Sequence, residues 1–408
     1  MANDQIKKLV IVWGISGSGK TTFAKDYAKK HQGVYIDFDS IFNYREKNDV
    51  KFIDFLNKLS SLIESSNKKL FVIDGYSGYD TPSVFYLKNK LGIDIQLCLC
   101  FAAPHIIYQR QKDKIQKKAF DNFSSKEEIK EQIEDLFFLI DSIDKNALFV
   151  DTTNDFEFIN KKCWIQRWRD LLFISELSEK DYDRYYQDIN LPSGLNIKGY
   201  SESEKTWERL FNLIDFKDQK VLDIGCFHGF FSFKIEQAGA KEVNGVEKSK
   251  EVVLTTRKLS WLKKSKACFY KGDIVDFKSQ NHYDIVLVLN MLHYASDIPK
   301  ALKNVFSMGN LIVFEIPVEQ EEIILKYAKN FGFKLDKKIN SHREIREILL
   351  FKNDKSKTNI SENILDKYQF SYQTYKIQKI IKNVKAFSKR YLPNSLLKKY
   401  YAIIKNRK

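Results

Sequence analysis

Val221-Leu222-Asp223-Ile224-Gly225-Cys226-Phe227-His228-Gly229 decides the reading of the C-terminal half of this chain. Val221, Leu222 and Ile224 form a short apolar strand. Gly225 and Gly229 then bracket a turn before the apolar run Phe230-Phe231-Ser232-Phe233. A strand that ends in a glycine turn and enters a helix presents backbone N–H groups at the strand's carboxyl end, where ligands bind open α/β sheets. Further apolar runs follow at Glu242–Val246, Ala267–Tyr270, Ile285–Leu289, Leu311–Phe314 and Ile348–Phe351, with helical patterns between them. That alternation predicts a parallel sheet covered on both faces.

The stretch resembles the first motif of class I methyltransferases, D-x-G-x-G-x-G, with Phe227 in place of the middle glycine. A nicotinamide-binding loop is the rival for a lone glycine turn. Three later landmarks weigh against the rival: Gly245-Val246-Glu247, Lys271-Gly272-Asp273-Ile274, and the run Tyr283 to Leu289 followed by Asn290-Met291-Leu292-His293. The resemblance implies that Asp223, Gly225, Gly229, Glu247, Asp273, Ile274 and Asn290 hold S-adenosylmethionine, with Glu247 on the ribose hydroxyls and Asp273 near the adenine. His293 and His228 are candidates to contact the acceptor, and His293 is the one assigned a catalytic part. Tyr185-Tyr186-Gln187-Asp188-Ile189 and Gly199-Tyr200-Ser201 upstream look like a branch that includes tRNA wobble-uridine modifiers and small-molecule or glycan O-methyltransferases.

The N-terminal half opens the same way with different glycine spacing. Leu9-Val10-Ile11-Val12-Trp13 leads into Gly14-Ile15-Ser16-Gly17-Ser18-Gly19-Lys20-Thr21, which matches G-x-x-x-x-G-K-[ST] between a strand and a helix. Such a loop aims backbone N–H groups at phosphates. Its lysine reaches the β- and γ-phosphates and its hydroxyl holds Mg²⁺. Gly14, Gly17, Gly19, Lys20, Thr21 and Thr22 are therefore expected around ATP. Thr21 and Asp74, the latter ending Phe71-Val72-Ile73-Asp74, are expected on Mg²⁺. The region resembles small P-loop kinases of the polynucleotide-kinase and zeta-toxin type. That likeness implies a hydroxyl-activating carboxylate at the end of the second strand, Asp39 first and Asp37 second, and a lid arginine at Arg110. Those kinases often carry an arginine three residues after the base, where this chain has Phe42.

The 408 residues carry a net charge of +15, of which Lys352 to Lys408 hold 15 Lys/Arg against three acids, a net of +12. The preceding 351 residues are left with +3, which argues against a nucleic-acid path across the body. In the tail Ile377, Ile380, Ile381, Val384, Phe387 and Tyr391 share one helical face opposite Lys379, Lys382, Lys385 and Lys389, the composition of a helix that lies on anionic lipid. Five scattered cysteines without a C-x-x-C pair give neither a disulfide framework nor a zinc site. The polar N-terminus does not read as a secretory signal, so a cytoplasmic enzyme, peripheral at the inner face of the cell membrane, is expected.

The expected architecture is α/β, with two doubly wound domains and a tail: a P-loop kinase domain at 1–172, a Rossmann-like class I methyltransferase domain at 173–352, and a basic amphipathic helical tail at 353–408. The pairing of activities resembles the kinase–methyltransferases that cap bacterial O-antigen chains with methyl phosphate. It implies phosphorylation of a glycan hydroxyl and methylation of the acceptor, the new phosphate being one methyl target. An RNA end-processing kinase–methyltransferase is the alternative, and a nucleotide-binding switch without turnover is a third class.

Overall fold

The computed structural model describes residues 7–41, 49–75, 92–116, 124–144, 146–178, 185–279, 281–343 and 345–353. The expected helical tail lies outside the described residues from 354 onward, as does Phe42. The chain divides into two compact units, Met1–Arg184 with Asn190–Leu195, and Tyr185–Ile189 with Asn196–Lys408.

The first unit runs β1 (Lys8–Trp13), α1 (Lys20–Lys30), β2 (Val34–Asp37), α2 (Phe38–Ile41), α3 (Asp49–Ser65), β3 (Leu70–Asp74), β4 (Asp94–Phe101), α4 (Pro104–Gln116), α5 (Lys126–Ile143), β5 (Leu148–Asp151), β6 (Glu157–Ile159) and α6 (Trp164–Ser178). Its sheet has the order β2-β3-β1-β4-β5-β6. β1 lies centrally, parallel to β3 and β4, and Leu9 to Val12 are each 0% exposed. An uninterrupted apolar strand is what a sheet covered on both faces requires. Since β1 pairs with β3 on one side and β4 on the other, the crevice beyond its carboxyl end is a topological switch point. α5 begins on a capping box, in which Ser125 and Glu128 satisfy each other's backbone N–H groups. The division expected after residue 172 falls inside α6, a helix of the first unit.

In the second unit a ribbon of β7 (Ile189–Asn190) and β8 (Asn196–Ile197) precedes α7 (Ser203–Phe211). Then follow β9 (Lys220–Ile224), α8 (Phe230–Gln237), β10 (Glu242–Glu247), α9 (Lys250–Lys263), β11 (Cys268–Lys271), β12 (Tyr283–Leu289), α10 (Ile298–Met308), β13 (Gly309–Pro317), α11 (Glu321–Asn330), β14 (Phe333–Asn340) and β15 (Arg346–Asn353). The sheet order is β11-β10-β9-β12-β13-β15-β14. Five strands are parallel, and β15 runs antiparallel to both β13 and β14.

Two expectations are corrected here. Both sheets are mixed: β6 returns antiparallel on β5, and the short link from β14 to β15 permits only an antiparallel partner. β14 itself was not anticipated. Phe333-Lys334-Leu335-Asp336-Lys337-Lys338-Ile339-Asn340 is mostly exposed, and such a charged edge strand, whose lysines discourage pairing with another chain, carries little hydrophobic signal. Among the described residues no helix is long and apolar enough to cross a membrane.

Candidate functional sites in the two units

In the first unit the glycine loop joins β1 to α1, and Gly14, Gly17 and Gly19 all adopt positive φ. At Gly14 the reason is steric as well: a Cβ there would lie 2.3 Å from Ser18 Oγ and 2.7 Å from the Cys100 carbonyl oxygen. Lys20 opens α1. Thr21 Oγ1 donates to Asp74 Oδ2 at 2.5 Å, and the Tyr35 hydroxyl donates to Asp74 Oδ1 at 2.6 Å. Asp74 is 3% exposed at the end of β3, so the loop hydroxyl and the strand-end carboxylate expected on Mg²⁺ come together. Among the described residues no group of three or more His, Cys, Asp or Glu could hold a metal. A hydroxyl and a carboxylate are hard oxygen donors, the kind of ligand that Mg²⁺ takes alongside water and phosphate.

Asp37 ends β2 in register with Asp74 and is exposed. Asp39 has its backbone in α2, and its side chain lies outside the described residues. Thr22 is exposed in the first turn of α1. Arg110 departs from the expected lid. Its guanidinium donates to the carbonyl oxygens of Gly17 at 3.3 Å and Thr152 at 2.6 Å, and to Thr152 Oγ1 at 3.2 Å. Thr152 Oγ1 in turn donates to the Ser18 carbonyl at 2.7 Å. A planar guanidinium with its donors on loop carbonyls braces the loop from behind. Burial lowers its pKa from the ordinary arginine value, against the charge of Asp151.

In the second unit Gly225 follows β9 at φ 74°, and a Cβ there would lie 2.8 Å from Met291 Cγ. Gly229 caps α8. Phe227, which stands where the motif has a glycine, is left-handed at φ 50°, a conformation that costs a side-chain-bearing residue about 1–2 kcal/mol. Its backbone N–H donates to Glu247 Oε2 at 3.3 Å, while Ser249 N–H donates to Glu247 Oε1 at 3.0 Å. The carboxylate ending β10 is thus turned toward the glycine loop. Asp273 accepts Val275 N–H at 3.0 Å and pairs with Lys248 at 2.7 Å, and the Lys248 hydrogen bond holds its pKa below the usual carboxylate range. The Ile274 side chain belongs to the apolar core. Asn290, left-handed at φ 52°, donates from Nδ2 to the Tyr186 hydroxyl at 2.7 Å, and its buried Oδ1 has no hydrogen-bond partner among the described residues. His228 is 1% exposed, its ring against Phe227. His293 is half-buried in the turn Leu292–Tyr294, its ring tilted at 42° to that of Tyr294 with centroids 4.0 Å apart.

Asp223 lies beneath the loop, 1% exposed, and Ser232 Oγ donates to it at 2.7 Å. Burial pushes its pKa up to about 6 against that hydrogen bond. In the unfolded chain it titrates near 3.8. Between those values the folded state binds the extra proton, so this residue's contribution to stability declines as pH rises from about 4 to 6 and is level above. The shift corresponds to about 3 kcal/mol. Asp223→Asn is expected to remove that slope, measured as urea midpoints of the full chain at pH 4.5 and 7.

A small open cleft adjoins the loop and is lined by residues that include Tyr186, Gln187, Gly225, Leu289, Glu315 and His342. Tyr200 N–H donates to the Tyr185 carbonyl at 3.0 Å and Ser201 N–H to the Tyr186 carbonyl at 2.9 Å, which fixes Tyr186 and Gln187 beside it. Glu315 and His342 were missed in the sequence because neither sits in a recognisable motif. The ends of β13 and β14 bring them together.

A family model described as "Methyltransferase domain" matches residues 215–313. The chain is 26% identical over 133 residues to the tRNA U34 carboxymethyltransferase of Helicobacter acinonychis (strain Sheeba), covering 30% of this chain and 50% of that protein. It is 30% identical over 119 residues to the enzyme of that name from Campylobacter hominis, covering 28% and 42%. The chain therefore spans about half the length of the curated relatives it matches. The structure of PH0226 protein from Pyrococcus horikoshii OT3 is similar at 18% identity and a TM-score of 0.35, covering 41% of this chain and 94% of that one. With the strand order β11-β10-β9-β12-β13-β15-β14 and the matched segment from Asp215 to Val313, the second unit contains a class I, S-adenosylmethionine-dependent methyltransferase domain.

Proposed function

We propose that this chain is a bifunctional kinase–methyltransferase. The first unit transfers the γ-phosphoryl group of ATP to an acceptor hydroxyl, and the second methylates that acceptor with S-adenosylmethionine. The observation that carries the kinase half is the Thr21–Asp74 pair beneath a G-x-x-x-x-G-K-T loop. Lys20 draws charge from the transferring phosphoryl group, Arg110 keeps the loop in shape, and Asp39 or Asp37 takes the hydroxyl proton. Thr21 and Asp74 would hold Mg²⁺, which would supply neutralising charge to the nucleotide's phosphates. In the second unit Glu247 is placed for the ribose hydroxyls and the loop from Gly225 to Gly229 for the amino-acid end of the methyl donor. Both readings are supported by side chains that converge on the carboxyl ends of central strands.

The acceptor we favour is the end of a lipid-linked glycan. The near-neutral body and the basic, apolar-striped segment beyond residue 353 suit an acceptor at an anionic membrane surface better than a nucleic-acid strand. A second reading, methyl transfer to RNA, is favoured by the names of the curated relatives. The test is a transfer assay with γ-labelled ATP and tritiated S-adenosylmethionine, separately and together, on extracted lipid-linked glycan and on RNA. Phosphate and methyl label on glycan, each from its own donor, is the expected result. Label on RNA alone would replace the glycan reading with the second one.

A further inference from the structure

At the carboxyl end of the second sheet, Glu315 of β13 pairs in register with Leu289 of β12, and Gly225 follows the last paired residue of neighbouring β9. All three line the cleft beside the glycine loop. Glu315 is 4% exposed. Ser341 Oγ donates to its Oε1, and Oε2 has no hydrogen bond among the described residues. A carboxylate oxygen that no protein donor occupies is open to accept a hydrogen bond from a ligand in the cleft.

The groups behind Glu315 fix it in place. His342 Nδ1 lies 2.9 Å from Thr206 Oγ1 and 3.5 Å from Ser341 Oγ. Ser341 donates its proton to Glu315, so toward His342 that hydroxyl can only accept. Burial lowers the His342 pKa, against the charges of Glu315 and Glu202 and with those of Arg343 and Arg346. Arg346 lines the same cleft without an ion pair to Glu315 among the described residues. Its charge suits the carboxylate of the methyl donor's amino-acid end.

We infer that Glu315 takes the proton of the methyl acceptor, and that the atom methylated is a neutral hydroxyl oxygen and not a phosphate oxygen. The inference rests on the methyltransferase reading of this unit. The hydroxyl oxygen forms a bond to the methyl carbon, the carbon–sulfur bond breaks with its electron pair left on sulfur, and the hydroxyl proton passes to Glu315 Oε2. The products are a methyl ether, a neutral thioether and a protonated carboxyl that returns its proton to water. A phosphate oxygen is already anionic, so it needs no base, and it would be repelled by the Glu315 carboxylate.

The full chain is incubated with tritiated S-adenosylmethionine and two probe sets, methyl glycosides and the corresponding sugar phosphates. Tritium is expected on carbon-bound hydroxyl oxygens, as an ether that survives alkaline hydrolysis and phosphatase. Glu315→Gln keeps an acceptor for Ser341, and it is expected to lower methyl transfer by about a hundredfold or more. Its S-adenosylhomocysteine affinity and melting temperature should stay at the parental values. Ser341→Ala, which frees the carboxylate without removing it, should cost less than Glu315→Gln. Tritium released as methanol from a phosphate ester, no tritium on any hydroxyl probe, or full activity in Glu315→Gln would each overturn the inference. Failure of the parent chain to bind S-adenosylhomocysteine would instead bring down the methyltransferase reading beneath it.

Discussion

Lys20→Ala is expected to lower ATP-dependent phosphoryl transfer by about 10²–10³-fold, the usual cost of removing one preorganised donor from a transferring group. Lys20 opens α1 directly after Gly19, so its ammonium starts at the positive end of that helix and adjoins the loop N–H groups. Arg110, a second cation near the loop, has its guanidinium on the Gly17 and Thr152 carbonyls. Thr21 and Asp74 are engaged with each other and supply only oxygen. The check is turnover of γ-labelled ATP with the acceptor extract, alongside S-adenosylhomocysteine affinity as an internal control, since the second unit folds around its own core. A Lys20→Ala chain that phosphorylates at the parental rate would remove the kinase reading.

Glu247→Ala is expected to weaken S-adenosylhomocysteine binding by roughly a hundredfold. Charge-assisted hydrogen bonds contribute about 1.5–3 kcal/mol each, and about 1.4 kcal/mol corresponds to tenfold. The carboxylate has a second part in the expected loss. It accepts the N–H groups of Phe227 and Ser249, and so holds Phe227 in its left-handed conformation. Without it the loop is free to relax away from the geometry that faces the donor. Glu247→Gln keeps an acceptor and should lose less than Glu247→Ala. Titration calorimetry on the full chain measures both, and an affinity for Glu247→Ala within about threefold of the parent would refute the assignment of Glu247 to the ribose.

Much of this was legible in the sequence where a local rule sets the outcome. The central strands β1, β9 and β12 are apolar runs that must be covered on both faces. The two glycine loops announce themselves because their backbones need positive φ at fixed spacings. Strand β14 was not legible, since an exposed edge strand of lysines has no hydrophobic alternation to detect. The contacts of Arg110 were not legible either: its hydrogen bonds to the Gly17 and Thr152 carbonyls join residues 93 and 42 positions away.

The sequence by itself determined the two βα series, the loops at their strand ends and the carboxylates that follow those strands, because backbone sterics and strand burial act within a few residues. Only the tertiary structure decided which side chains meet. Thr21 reaches Asp74 across 53 residues, Tyr186 reaches Asn290 across 104, and Thr206 reaches His342 across 136. Those encounters are set by strand order and register, which bring the carboxyl ends of distant strands to one edge of a sheet and which no local pattern in the chain encodes.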